Sequence, residues 1–473
     1  ERETEKRDVQ VVDEEHRFSH LYTTEVKPAG DTTRHVQRLT SGDFYVTGFD
    51  WAPDGDTIAF APRPPISSGI DRDLSVVPAD SGAVEPLVER PGFDGLPHYS
   101  PDGETVAFLS TGGKRVWHGV DDVYTVPAEG GDPTALARTP NRFVLIYGVG
   151  IIGWTAGGES VMVDDVAGTS THVYAVGEDS ARQVTAGEGV YEDASYSRSA
   201  GRLALTYQNS TAPEEVYVGP EGGFERRQVT TVNEEVPRPE MGRTEAVTWT
   251  GPEGQEIEGL LTYPTDYDGG RVPLILDIHG GPVGTHLRTF MGDRFTPYKV
   301  FSERGYAMLR PNPRGSSGYG LAFREAVIED WAGVDYEDLM AGVDKTIEMG
   351  VAHPDSLAIM GWSYGGYLTA WAVTQTDRFE AASMGAGMSN LISYQGTVYY
   401  PFTYNVLKHY MGGPFWDRYE TYEERSPIYH VKSASTPTQI LHGAEDEIVP
   451  PSQGREFYRA LRGRGVETEM VLY

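Results

Sequence analysis

Gly361-Trp362-Ser363-Tyr364-Gly365 sets a serine between two glycines, a pattern that suits a nucleophile. A serine hydroxyl attacks a carbonyl only when it is well exposed and a neighbouring base takes its proton. The apolar run Leu357–Met360 precedes the pentapeptide and a helix-like run follows Gly366, so it reads as a strand-to-helix elbow. Small residues on both sides admit a serine held in a strained backbone conformation. The chemistry available to such a residue is acyl transfer through a covalent intermediate.

Acyl transfer also needs donors aimed at the oxygen that becomes negative. The segment DIHGGP, residues 277–282, closes the apolar strand Leu274–Ile278, and a loop there can supply one backbone N–H. The amide after the nucleophile supplies a second, which nominates the backbones of Gly281 and Tyr364 as an oxyanion hole. A third segment, ILHGAEDEIVP at 440–450, carries Asp446 behind a later strand. The order nucleophile, acid, histidine is that of this strand-to-helix architecture, with Glu445 and Glu447 as rival acids.

Strands and helices must hold these loops. EIEGLLTYP, VPLILDIHG, GYAMLRPNP, SLAIMGW and TPTQILHG are short apolar strands, and helix-like stretches occupy Val334–Met349, Tyr367–Thr374 and Gln453–Leu461. Their alternation implies a mostly parallel α/β sheet. The first half repeats instead. Aromatic starts at Trp51, Tyr99, Trp154 and Tyr196, spaced 48, 55 and 42 residues apart, each lead into a tight turn and an alternating strand. Second elements begin at residues 21, 74, 123, 173 and 216. Two hairpins in each repeat of this length are the pattern of a four-stranded propeller blade. The proline-bearing stretch 232–243 reads as a linker. The expected organisation is a partial β-propeller of four to five blades over residues 1–235, then an α/β-hydrolase domain over 243–473, incomplete at its C-terminus.

Composition narrows the classes. Asp and Glu total 70 against 39 Lys and Arg, a net charge of −31 that repels phosphate backbones and argues against nucleic-acid partners. Lysines number only 7, leaving 32 arginines (39 − 7). An acid-rich, lysine-poor surface fits a halophilic cytoplasm, where salt screens the self-repulsion. No apolar run is long enough to span a bilayer, so no membrane partner is expected. Without cysteine there is no thiol chemistry and no cysteine metal site.

GWSYGG, DIHGGP, NPRGSSGYG (312–320) and LHGAEDEIVP, preceded by propeller repeats, resemble the prolyl oligopeptidase family of serine peptidases, in its acylaminoacyl and dipeptidyl peptidase branch. The resemblance implies that Ser363 is the nucleophile, Asp446 the acid that orients the base, and Gly281 and Tyr364 the oxyanion donors. It implies short peptides as substrates, no cofactor and no metal, with a homo-oligomer left open. In the family the base is a histidine about 30 residues beyond the acid. Tyr473 lies 27 residues past Asp446, and none of the 12 histidines follows position 442. The base is therefore expected beyond Tyr473, with the chain inactive as it stands. His279 and His442 read as loop residues, because the order of this fold places the base after the acid. Relatives often carry arginine two residues after the acid, where this chain has Ile448, so a substrate contact from that position does not carry over.

Other motifs read as decoys. GVGIIG at 148–153 runs into a strand and not a helix, against dinucleotide binding, and His16 with His20 lacks further metal ligands. Tyr394, Tyr399, Tyr400 and Phe402 are candidates for a substrate pocket, with core packing the other reading. A carboxylesterase on the same fold and a non-catalytic propeller scaffold remain as alternative functions.

Overall fold

The structure, a computed structural model, describes residues 18–27, 35–64, 71–80, 82–116, 122–141, 150–235, 242–291, 296–399 and 401–473, with the side chains of 401 and 402 left aside. A short antiparallel pair, β1 (Tyr22–Thr24) and β2 (Val36–Arg38), comes first. Four sheets of four antiparallel strands follow, each a simple meander. They are β3 (Tyr45–Trp51), β4 (Thr57–Arg63), β5 (Leu74–Pro78) and β6 (Glu85–Val88); then β7 (Asp94–Tyr99), β8 (Thr105–Ser110), β9 (Asp122–Pro127) and β10 (Thr134–Ala135). The third holds β11 (Ile151–Trp154), β12 (Val161–Ala167), β13 (Ser170–Val176) and β14 (Ala181–Gln183). The fourth holds β15 (Val190–Ser197), β16 (Arg202–Asn209), β17 (Ala212–Pro220) and β18 (Arg227–Gln228).

The repeated turns have one physical cause. The Asp54 carboxylate accepts the Asp56 amide at 3.0 Å, and Asp102 accepts the Glu104 amide at the same distance. Gly55 and Gly103 then take φ of 82° and 78°, which a glycine adopts without strain. Each turn returns the chain into a strand with a buried run, such as Ile58–Ala61 and Val106–Ser110. The opening strand of each sheet packs on the opening strand of the next: β3 on β7, β7 on β11, β11 on β15.

The second half forms one sheet of eight strands. They are β19 (Thr244–Thr250), β20 (Glu256–Thr262), β21 (Val272–Ile278), β22 (Ala307–Asn312), β23 (Ala352–Trp362), β24 (Ala381–Gly385), β25 (Thr438–His442) and β26 (Thr468–Leu472). The spatial order is β19-β20-β22-β21-β23-β24-β25-β26. The first two strands pair antiparallel, and the run from β22 to β26 is parallel. Parallel strands must be covered on both faces, which explains the unbroken burial of Leu274–Ile278 and the helices Val334–Glu348 and Tyr364–Gln375 packed against the sheet. Leu274, Leu276, Ile278, Leu357, Ile359 and Ile440 meet in one core. Full burial of each stabilises by about 1.5–3 kcal/mol.

The two halves touch at defined backbone points. Gly168, in the turn between β12 and β13, donates to the Gly318 carbonyl at 2.9 Å, and Gly318 donates to the Asn141 side chain at 2.6 Å. Arg288 donates its amide to the Thr169 carbonyl at 3.0 Å. Among the described residues, no helix is long and apolar enough to cross a membrane.

Candidate active site

Strand order decides which loops can meet. β21, β23, β24 and β25 are consecutive parallel neighbours, so the residues after their carboxyl ends share one edge of the sheet. Those residues include Gly280 and Gly281 after β21, Ser363 after β23 and Asp446 after β25. Ligands of open α/β sheets bind at this edge.

Ser363 has φ 59° and ψ −116°. That left-handed φ is strained for a residue with a side chain and persists only where the surroundings hold it. Here the Ser363 amide donates to the Gly385 carbonyl at 2.9 Å, and its carbonyl accepts the Tyr367 amide at 2.9 Å. Close approach accounts for the flanking glycines. A Cβ on Gly361 would lie 2.6 Å from Gly365 backbone atoms, one on Gly365 2.0 Å from the Ile278 oxygen, and one on Gly366 2.3 Å from the Gly385 oxygen. The helix begins at Tyr364, three residues earlier than the run read from the sequence at Tyr367. As its first residue, Tyr364 has an amide without an intrahelical acceptor.

The loop after β21 lies against the serine: a Cβ on Gly280 would stand 3.5 Å from that of Ser363. Gly281, at φ 136°, folds so tightly that an added Cβ would meet the Val283 and Gly284 amide nitrogens at 2.4 Å. His279 braces this loop. Its Nδ1 donates to the Gly280 carbonyl at 2.8 Å, and its Nε2 meets Ser316 Oγ at 2.9 Å. Ser317 Oγ adds a bond to the Val283 carbonyl at 2.7 Å. Sequence pattern alone assigns neither serine of the motif 312–320 this bracing role, which only a side-chain-to-loop bond reveals.

Asp446 is fixed by its own loop. Its Oδ1 accepts the Ile448 and Val449 amides at 2.9 and 3.0 Å, while the side chain stays 22% exposed. Oδ2 lies 3.8 Å from His442 Nε2, but that nitrogen donates to the Val449 carbonyl at 2.7 Å. Burial lowers the His442 pKa below its ordinary value, which favours the neutral ring.

Of the aromatic candidates, the structure describes the side chains of Tyr394 and Tyr399. Tyr394 is buried, donates to the Ile448 carbonyl at 3.2 Å, and has its hydroxyl pKa raised chiefly by burial and then by the Asp446 charge. Tyr399 is exposed. Tyr400 and the Phe402 side chain lie outside the described residues, as do His16 and part of the 148–153 motif.

A residue with no sequence flag contacts the side chain that follows the nucleophile. Asp335, in the first turn of the helix Val334–Glu348, is fully buried and accepts the Tyr364 hydroxyl at 2.5 Å.

Residues 294–473 match the profile of the prolyl oligopeptidase family. The peptidase YuxL of Bacillus subtilis is 36% identical over 266 residues, covering 55% of this chain and 39% of that protein. Dipeptidyl-peptidase 5 of Porphyromonas gingivalis is 27% identical over 447 residues, 90% of this chain and 63% of that protein. This chain thus spans well under two thirds of the first relative and slightly less than two thirds of the second. Among solved structures, an acylaminoacyl peptidase of Pyrococcus horikoshii superposes with a TM-score of 0.75 at 22% identity, over 93% of this chain and 67% of that one. A puromycin-hydrolyzing peptidase of Mycobacterium tuberculosis gives 0.71 at 22% identity, over 96% and 82%. The prolyl oligopeptidase match covers the elbow and Asp446, and the superpositions extend the fold likeness to the repeated sheets.

Proposed function

We propose that the chain is the larger part of a serine peptidase that cleaves short peptides. In this reading Ser363 attacks the scissile carbonyl, and the amides of Gly281 and Tyr364 hold the oxygen as it becomes negative. Asp446 orients a histidine that takes the serine proton and later gives it to the leaving amine. That histidine follows Tyr473 in the full-length protein. The four sheets are blades of a β-propeller over the catalytic edge, the surface charge is an adaptation to a saline cytoplasm, and no cofactor takes part.

The observation that carries this reading is the conformation of Ser363: φ 59° between β23 and a helix, with Gly280 packed against it. Strain at a residue flanked by three sterically obligatory glycines has no packing benefit, whereas it exposes a nucleophile beside the Tyr364 amide, which has no intrahelical acceptor. Comparison of peptide anilides with p-nitrophenyl esters on the full-length protein tests it. A kcat/KM for peptides that rivals or exceeds that for esters is expected; turnover of esters alone would assign a carboxylesterase.

A further inference from the structure

We infer that Asp335 is a positioning residue for the oxyanion site, holding the Tyr364 side chain and through it the amide that follows Ser363. The inference rests on the serine-peptidase reading above and adds a residue to it.

Asp335 has no exposed surface, and its side-chain contacts are the Tyr364 hydroxyl at 2.5 Å and the amide of Tyr336 at 2.9 Å. No cation pairs with it among the described residues, because the neighbouring acids take the arginines: Asp330 binds Arg425 and Asp338 binds Arg314. A buried carboxylate without a cation is expensive, and an apolar side chain of similar size would pack there at less cost. What the carboxyl group does supply, ionised or protonated, is an oxygen acceptor for one phenol.

That phenol belongs to the residue whose placement matters. Tyr364 follows a strained Ser363, so its amide direction depends on whatever fixes its own backbone. Its ring is boxed by Trp331 at 4.8 Å and Tyr367 at 5.5 Å between centroids, and the hydroxyl bond to Asp335 sets the depth to which it inserts. One turn on, the Tyr367 hydroxyl donates to the Arg425 carbonyl at 2.8 Å. Two buried phenols thus anchor the first turn of the helix, and Tyr364 is the one adjacent to the nucleophile. Loss of an oxyanion donor costs about 10²–10³ in kcat, so mis-aiming one is expected to cost about tenfold or more.

The test uses the full-length protein and four variants: Tyr364→Phe, Asp335→Val, Asp335→Asn and the double variant Tyr364→Phe/Asp335→Val. Each is assayed for kcat and KM on a peptide anilide, and for inhibition by a peptide trifluoromethyl ketone, which forms a tetrahedral oxyanion, and by the product peptide, which does not. Tyr364→Phe and Asp335→Val should each lower kcat about tenfold and weaken the ketone by a similar factor. KM and product inhibition should stay within about twofold, and the double variant should be no worse than either single one. Asp335→Asn keeps an acceptor in place and should recover kcat to within about threefold. Unchanged kinetics in Tyr364→Phe, additive losses, or equal weakening of ketone and product would overturn the inference. If Asp335→Val does not fold, Tyr364→Phe and Asp335→Asn decide it. Fluorophosphonate labelling separates the two claims. A wild type that is not labelled at Ser363 overturns the peptidase reading and this inference with it, whereas labelled wild type with unaltered Tyr364→Phe overturns the inference alone.

Discussion

Tyr473 accepts the Ala444 amide at 2.9 Å and donates its own amide to the His442 carbonyl at 3.1 Å. This pairing carries the chain off β26 onto the loop of Asp446, two residues from the acid. A segment continuing from Tyr473 would start beside the Asp446 loop. Extension of the chain by its native continuation should raise peptide-anilide hydrolysis on the order of 10⁶-fold, the amount that loss of a triad base removes. A continuation without histidine, or rates within tenfold of each other, would contradict the assignment.

Asp446 can be tested in the extended protein. Its two amide bonds hold the carboxylate with Oδ2 left for a partner. Asp446→Asn preserves those bonds but presents a donor to the base and stabilises the wrong tautomer. A fall in kcat on the order of 10⁴ is expected, with the folded state intact by circular dichroism. Loss of less than tenfold would transfer the role to another acid.

The elbow makes a prediction about glycine. Gly365→Ala would set a methyl 2.0 Å from the Ile278 oxygen, a backbone atom that cannot swing aside. It should destabilise by at least about 3 kcal/mol. Gly396, an exposed position of the helix Leu391–Thr397, meets nothing within 4 Å, so Gly396→Ala should stabilise by about 0.5–1 kcal/mol. Denaturant midpoints that shift alike for both variants would refute the steric account.

Much of this geometry is legible in the sequence where one residue type answers one physical demand. The Asp-Gly turns, the apolar run Leu274–Ile278 and the glycines of the elbow are such cases. Asp335 is harder, because an acid in a first helical turn ordinarily faces solvent and favours the helix dipole. Its signal lies in the spacing: Asp335, Asp338, Leu339, Gly342, Val343 and Thr346 form one buried stripe, so both acids stand on the apolar face. Tyr394 shows the converse. Its position in an aromatic cluster fits a pocket, yet burial beside the Asp446 loop is a matter of tertiary packing that local pattern does not encode.

Asp335 also gives the protein a pH signature. Its carboxyl is pushed up to about 7, first by burial, with Asp330 and Asp338 adding repulsion and bonds from Tyr364 and the Tyr336 amide opposing. Arg425 and Arg314 face those two acids, and the Tyr367 phenol lies alongside. In the unfolded chain the group titrates near 4, so between about pH 4 and 7 the folded state holds a proton that the unfolded state has released. The stability this supplies is complete below about pH 4 and is lost as pH rises to 7, at up to roughly 1.4 kcal/mol per pH unit. Asp335→Asn should lose less stability than wild type between pH 5 and 8 in chemical denaturation. Parallel curves would place the titration elsewhere.

The net charge of −31 predicts salt dependence. At low ionic strength the surface repels itself, and molar salt shortens the screening length to about 3 Å. The melting temperature should rise steeply between 0.1 M and 3 M KCl, both figures being about the extremes of screening available. A flat response would remove the saline-cytoplasm reading while leaving the catalytic one untouched.

The central claim is that Ser363 is the nucleophile, and the most direct measurement is where a covalent probe attaches. Full-length protein is treated with a fluorophosphonate, digested and mapped by mass spectrometry, beside a Ser363→Ala variant assayed on a peptide anilide. The account predicts a single adduct on Ser363 and loss of turnover in the variant. An adduct on another serine, or turnover that survives Ser363→Ala, would contradict it.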